Sequence, residues 1–315
     1  MKLHRQKHTA LGSEAVITLV TDVTEAQVAA LYAALWLRIF TFEKQFSRFL
    51  PASELSMFNR NAGAKQPVSE AFHDILQAAR ELSLKTEGLY NPFVLPALQR
   101  AGYTQSFVKG AEHDVHDDHR KKSVTTIDKL ELGTDWARIP YGTALDLGGC
   151  GKGYLADQLA DYIQDKVAGY SISLGGDLVC GGLDQKGARF SVTIQTANQR
   201  GDNIIGEIIM PQSRQAVASS GTTLRRGLEK GKPWHHIIDP KTMRPAETNV
   251  QLVTVCHESC LFADVLASCC IILGVQTSRP FLKSHQVTEA LFQILDKNNQ
   301  ASIIQIGKHI KLLAA

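Results

Sequence analysis

The chain has 315 residues, 44% of them hydrophobic, which suits one large or two modest domains with a sizeable core and excludes a disordered protein. Its formal net charge of +3 is small for this length and no long Lys/Arg block occurs, so charge gives no argument for nucleic acid or a membrane as the main partner. Cys150, Cys180, Cys256, Cys260, Cys269 and Cys270 include an adjacent pair and no CxxC, a pattern of reduced, buried thiols rather than of a disulfide framework or a zinc site.

The opening MKLHRQKHTALGSEAVITLV is basic but lacks the apolar segment and small-residue cleavage site of a secretory signal, and it has no lipobox-like cysteine. A soluble, cytoplasmic protein is the expectation. AVITLV (15–20) predicts a short strand, and EAQVAALYAALWLRIFTFEKQFSRF a long helix with apolar residues at helical spacing. SELSMFNRNAG predicts a helix ending in a turn, and EAFHDILQAARELSLKTEG an amphipathic helix closed by Gly88. The two prolines of LYNPFVLPAL predict extended or turning backbone at Asn91 and Pro96. Residues 104–124 are polar and mixed in charge, as in a surface loop or hairpin.

The second half predicts strand (WARIP), loop (DLGGCGKG), helix (YLADQLADYIQ), strand (YSISLGGDLVCGG) and a strand pair around FSVTIQT and IIGEIIM. After AVASSG come HHIIDP, strand QLVTVCHES, helix CLFADVLASCCIILG, a further helical stretch and a closing hairpin with an Asn-Asn turn. The apolar LFADVLASCCIILG is 14 residues long and carries Asp264, too short and polar for a membrane span. Strands and helices alternate without a strict βαβ period, which predicts an α+β fold of mixed sheets with helices packed on them. No linker separates domains, so residues 1–315 read as one domain, either undivided or as two subdomains split near residue 140.

Asp146 to Tyr154, DLGGCGKGY, packs four glycines around a carboxylate and an ammonium at the end of a strand and reads as a phosphate cradle. Asp146 stands where a P-loop needs its first glycine, and no frame fits the Rossmann Gly-x-Gly-x-x-Gly, so the loop belongs to another kind of phosphate or nucleotide binder. Asp264 and Ser268 lie four apart on one helix face, where they either grip a hard cation or leave Asp264 as a buried aspartate capped by its own helix. His236, in HHIIDP, is either a general base or one of two strand histidines facing opposite ways, and Asp239 can form an Asx turn with Pro240. AVASSG (216–221) suits close approach of a ligand or an ordinary turn. In SLGGD, Asp177 is either functional or part of a bulge or tight turn. His113, His116 and His119 have a spacing a metal could use, within what composition reads as a solvated loop.

In order along the chain, LGS (11–13), FSRF with SELSMFN (46–59), GLYNP (88–92), DLGGCGKGYLAD (146–157), SLGGD, AVASSG, HHIIDPKTMRP (235–245) and ADVLASCCIILG (263–274) resemble the ApbE family of FAD:protein FMN transferases. The resemblance implies a Mg²⁺-dependent enzyme that cleaves the FAD pyrophosphate, releases AMP and leaves FMN in phosphoester linkage to a threonine or serine of a target flavoprotein, such as a fumarate-reductase-like one. By matching positions it implies metal binding by Asp264 and Ser268 with the Gly149 carbonyl, and FAD contacts from Asp146, Lys152, Leu11, Phe49, Leu89, Tyr90, Asn91 and the Ile238 backbone. His236 would take the proton of the incoming hydroxyl. The same residues would also serve an FAD pyrophosphatase giving free FMN and AMP, or a non-catalytic FAD-binding protein. Asn91 departs from a usual Asp, Phe93 from a small hydroxyl residue, Met243 from Gly, Ser268 from Thr and Gly151 from Ala.

Overall fold

The computed structural model describes residues 1–103, 124–197, 203–211, 213–229, 232–296, 298 and 300–313. The expected loop after Tyr103, with His113, His116 and His119, lies outside the described residues but for Val124. In chain order, β1 (Lys2–Ala10) and β2 (Ser13–Thr21) are followed by α1 (Glu25–Phe46), α2 (Glu54–Arg60), β3 (Gln66–Pro67) and α3 (Glu70–Lys85). A 3₁₀ turn at Pro92–Val94 runs into α4 (Leu95–Arg100), and β4 (Glu131–Leu132), β5 (Trp136–Arg138) and α5 (Gly151–Ile163) come next. The strands β6 (Gly169–Leu174), β7 (Asp177–Gly182), β8 (Ser191–Gln195), β9 (Ile204–Ile209) and β10 (Gln215–Gly221) precede β11 (Arg226–Glu229), β12 (Lys232–His235), β13 (Ile238–Asp239) and β14 (Arg244–Pro245). The chain closes with β15 (Val250–His257), α6 (Cys260–Ser284), β16 (Glu289–Leu295), β17 (Ala301–Ile306) and β18 (Ile310–Leu312). The architecture is α+β, and the strand pairings among the described residues are antiparallel.

The chain divides into two compact units, each assembled from separated segments. The first comprises Met1–Thr41, Lys152–Gly221 and Asn249–Ala315, and the second Phe42–Gly151 and Thr222–Thr248.

In the first unit an eight-stranded sheet runs in the order β1-β2-β6-β7-β10-β15-β16-β17, and a smaller sheet in the order β18-β9-β8. Because side chains alternate along a strand, β10 serves two layers. Val217 joins Cys180, Ile208, Met210, Cys256 and Ile310 in one buried cluster, while Ser220, of opposite parity, bonds to Ser268 of α6. Helix α6 packs on β10 and β15. At 25 residues it runs past the predicted helix, which ends at Gly274, and by length and composition it could cross a bilayer. Gly274 (φ 71, ψ 170) breaks it, and Ala263, Val265, Leu266 and Ile271 are fully buried, as in a core helix.

Two tight hairpins shape this unit. Leu11 and Gly12, both at positive φ, join the register pair Ala10 and Ser13, and Gly175 and Gly176 join Leu174 and Asp177 in the same way. The segment YSISLGGDLVCGG is therefore a hairpin rather than the single predicted strand. β1 was not predicted, since KLHRQKHTA is an exposed edge strand with no alternating apolar face.

In the second unit Phe42, Phe46, Phe58 and Phe72 form one aromatic core, with ring centroids 4.8 Å (Phe42–Phe46), 5.6 Å (Phe46–Phe72) and 5.2 Å (Phe58–Phe72) apart. Ser53 and Ser69 cap α2 and α3 through bonds to the backbone N–H of Ser56 and Phe72, both 3.1 Å. As predicted, Gly88 closes α3: at φ 80 its N–H reaches the Ser83 carbonyl at 2.8 Å. Pro96 does not force extended backbone but sits in the first turn of α4, where a missing N–H costs nothing. A second cluster joins Ala97, Leu98 and Tyr103 to Trp234 and Ile238, with Phe49 and Met243 packed against it.

Candidate functional site

In the first unit, Lys152 lies in the first turn of α5, the helix that the sequence places after the glycine-rich run. Its ammonium is paired with Asp177, whose side chain is only 2% exposed, and lies 4.0 Å from Asp264 Oδ2. The hairpin turn makes this pairing possible. A Cβ on Gly175 would sit 2.5 Å from Ser13 Oγ, so a side chain there would collide with the β1–β2 turn, while Lys152 Cδ, at 3.6 Å, would be in ordinary contact with it.

Asp264 and Ser268 lie one turn apart on α6. Ser268 Oγ is 2.7 Å from Ser220 Oγ, so the second serine of AVASSG supports the predicted donor. Asp264 does not cap its own helix. Ser259 is the N-cap, and Asp157 of α5 accepts from Ser259 Oγ (2.7 Å) and from the N–H groups of Cys260 (2.9 Å) and Leu261 (3.0 Å). The backbones of α5 and α6 touch at Gly153, where a Cβ would meet Cys260 O and Leu261 Cα at 2.7 Å. Asp157 and Gly153 thus set Lys152 on α5 against Asp264 on α6.

The donor set is oxygen only, one buried carboxylate and one hydroxyl, and among the described residues no group of three or more His, Cys, Asp or Glu is placed to hold a metal. This fits Mg²⁺, which takes few protein carboxylates and completes its shell with water and substrate phosphate. Burial pushes the neighbouring Cys260 thiol well above its ordinary pKa and the Cys270 thiol up to about 12, which favours their neutral form.

In the second unit, Asp146 is tied down three ways. Its N–H donates to Pro92 O (2.8 Å), one carboxylate oxygen accepts from Gly148 N (3.1 Å), and the other pairs with Arg48 Nε (2.9 Å). Arg48 also donates to Tyr103 O (3.0 Å), and its guanidinium lies over the rings of Phe49 (4.2 Å) and Tyr103 (4.6 Å). Its Nη2 is buried with no hydrogen-bond partner among the described residues.

Leu89 and Tyr90 are held by Thr86, whose hydroxyl accepts from Tyr90 N at 3.1 Å and whose carbonyl accepts from Leu89 N at 3.0 Å. A Cβ on Gly149 would be 3.6 Å from the Tyr90 ring, an ordinary contact. Asn91 Oδ1 accepts from Phe93 N and its Nδ2 donates to Thr125 O, both at 2.9 Å. The amide thus makes a bond that the more usual carboxylate could not. Phe93 is fully buried, which makes it a core residue rather than a ligand contact.

His236 lies in the bend between β12 and β13, not on a strand as predicted, and its ring meets Tyr103 edge-on at 6.2 Å. His235 is the structural member of the pair: its Nε2 lies 2.9 Å from Ala246 O, and burial lowers its pKa against that bond. Asp239 forms the predicted Asx turn, accepting from Lys241 N at 2.9 Å. Met243 N donates to Asp239 O and Met243 takes φ 54, a left-handed conformation that explains why glycine is usual there. Ile238 pairs with Pro245 and is buried in the Tyr103 cluster.

The first unit therefore gathers Lys152, Asp264 and Ser268 with Asp177 and Ser220, and holds Leu11 in the β1–β2 turn. The second gathers Phe49 and Ile238 around Tyr103, which also meets His236, and links Asp146 to the segment after Asn91. Sequence reasoning missed Arg48, Tyr103 and Asp157. An arginine flanked by aromatics in FSRF was the available signal for the first; the other two depend on contacts distant in sequence. Chemically, one cluster brings oxygen donors of the kind a hard cation takes beside an ammonium, and the other presents an aromatic and guanidinium surface with a histidine at its edge.

Residues 11–292 match the model of the ApbE family. Curated relatives described as FAD:protein FMN transferase include one from Vibrio cholerae, 28% identical over 77% of this chain and 73% of its own length. Another, from Treponema pallidum, is 29% identical over 87% and 80%. The fold matches that of the Pseudomonas stutzeri flavinyl transferase ApbE in its apo form, with a TM-score of 0.82 at 19% identity over 97% of this chain and 95% of that one. It also matches the Vibrio cholerae flavin transferase ApbE, with a TM-score of 0.79 at 24% identity over 97% of each chain.

Proposed function

The chain belongs to the ApbE family, and from that premise we propose that it is a Mg²⁺-dependent FAD:protein FMN transferase acting on a threonine or serine of a flavoprotein acceptor. The observation that carries the reading is the pairing of Asp264 and Ser268 on one face of α6 with the Lys152 ammonium 4.0 Å from Asp264 Oδ2. A carboxylate and a hydroxyl for the metal, with a cation beside them, are what a pyrophosphate substrate needs.

Asp264 and Ser268 would hold Mg²⁺, with the Gly149 carbonyl as the further donor that the family pattern implies. Bound there, the ion supplies charge neutralisation at the pyrophosphate. Lys152 adds a second positive charge toward the phosphates. Phe49, Leu89, Tyr90, Asn91, Asp146, Leu11 and the Ile238 backbone are the proposed FAD contacts. His236 accepts the proton of the acceptor hydroxyl as its oxygen forms a bond to the phosphorus next to riboflavin. The bond from that phosphorus to the AMP oxygen breaks, and AMP leaves with the electron pair.

The test is AMP release from FAD with Mg²⁺ and an acceptor carrying a Thr/Ser target site, with EDTA as control, followed by intact mass of the acceptor. Metal-dependent AMP with a mass gain of one FMN supports the transferase. AMP without the gain supports hydrolysis to FMN and AMP, and neither product supports an FAD-binding protein.

A further inference from the structure

Asp177 remains outside the roles above, yet it is among the most buried acids of the first unit, and it holds the ammonium of Lys152. That ammonium also lies 4.0 Å from Asp264 Oδ2. One cation therefore stands between two buried carboxylates, one of which is proposed to receive a divalent ion. We propose that Asp177 is a positioning residue that keeps the Lys152 ammonium from neutralising Asp264, so that Lys152 and a divalent cation are held beside Asp264 together. The inference rests on the reading of Asp264 as a metal ligand.

Lys152 carries one charge and, in a buried setting, pairs with whatever carboxylate is nearest. With Asp177 ionised, the three side chains sum to −1, and the ammonium is satisfied without Asp264. With Asp177 neutralised, the Lys152 ammonium, already 4.0 Å from Asp264 Oδ2, is drawn toward that carboxylate, and lysine and metal then compete for the same oxygens. The hairpin is built to keep Asp177 in place. Asp177 is the first residue of β7, register-paired with Leu174 across a Gly-Gly turn, and Gly175 takes the φ of 66 that the turn needs, packed so closely on Ser13 Oγ that a Cβ there would be 2.5 Å from it. Supporting groups behind metal ligands characteristically change metal affinity by about 10- to 100-fold.

The test uses Mn²⁺ as the probe, titrated into the full-length, nucleotide-free protein with free Mn²⁺ read by electron paramagnetic resonance. Asp177→Asn is expected to weaken binding by about 10- to 100-fold. Lys152→Met alone is expected to bind at least as tightly as wild type, and adding Lys152→Met to Asp177→Asn to restore binding to that level. Loss of structure at the hairpin would not be repaired by removing a second charge, so failure of the double variant to recover overturns the inference. So does unchanged affinity in Asp177→Asn, or weakened binding in Lys152→Met alone should Asp177→Asn not fold. Wild-type protein that takes up no Mn²⁺, or Asp264→Ala that binds it as wild type does, contradicts Asp264 as a ligand and thus the underlying reading instead.

Discussion

Arg48 Nε lies 2.9 Å from Asp146 Oδ1, with only 8% and 10% of the two side chains exposed. The pair anchors the carboxylate proposed to contact FAD and, through the guanidinium, the ring of Phe49. Arg48→Met leaves Asp146 charged, buried and dependent on the Gly148 N–H alone. We expect a loss of about 3–5 kcal/mol in urea unfolding, the usual effect of removing one member of a buried pair. Arg48→Met combined with Asp146→Leu should recover much of it. A single-variant loss below about 1 kcal/mol would contradict a buried, mutually dependent pair.

Asn91 is the departure from the family pattern for which the structure gives a direct reason. Its amide bonds the Thr125 carbonyl, and Asn91→Asp would set a carboxylate oxygen against that carbonyl while keeping the bond from Phe93 N. Expected at neutral pH is a destabilisation of about 1–3 kcal/mol, shrinking as pH falls, because burial and the facing carbonyl raise the new carboxyl's pKa and its protonated form can donate to Thr125 O. Thermal melts of both proteins at pH 7 and pH 4 measure this. Equal melting at pH 7 would mean that the amide bond contributes nothing.

All six cysteines are buried and none is in a disulfide, and burial pushes Cys180, Cys256 and Cys270 up to about 12. The thiolate is the reactive form, so the native protein should react slowly with a disulfide reagent and yield six thiols only once unfolded. A thiol that titrates rapidly in the native state would contradict the burial of that residue.

His236→Ala should slow FMN transfer by on the order of 10²- to 10⁴-fold if the imidazole takes the proton of the acceptor hydroxyl. Divalent-ion binding to the free protein should be unchanged. A loss under about tenfold would make His236 a positioning residue rather than a base.

Much of this was legible in the residues themselves. The helical spacing through α1 and α3, the Gly88 stop, the entry of DLGGCGKG into a helix and the i, i+4 pairing of Asp264 with Ser268 are local properties, and the local sequence carries them. Where local rules admit two outcomes, the reading failed. Pro96 breaks a helix from within but begins one equally well, and a Gly-Gly pair reverses a strand as easily as it interrupts one. β1 gave no signal because an exposed edge strand has no buried face to impose alternation. Arg48 with Asp146, Asp157 with the start of α6, and Asp177 with Lys152 are pairings across long stretches of chain, which spacing alone does not encode.

The most direct measurement is the intact mass of an acceptor protein after incubation with FAD and Mg²⁺, with wild type and Asp264→Ala compared side by side. The expected result is a gain of one FMN with wild type, no gain with EDTA, and no gain with an Asp264→Ala protein that keeps its fold by circular dichroism. Equal labelling by Asp264→Ala, or labelling by wild type that survives EDTA, would contradict a metal-dependent transfer centred on α6.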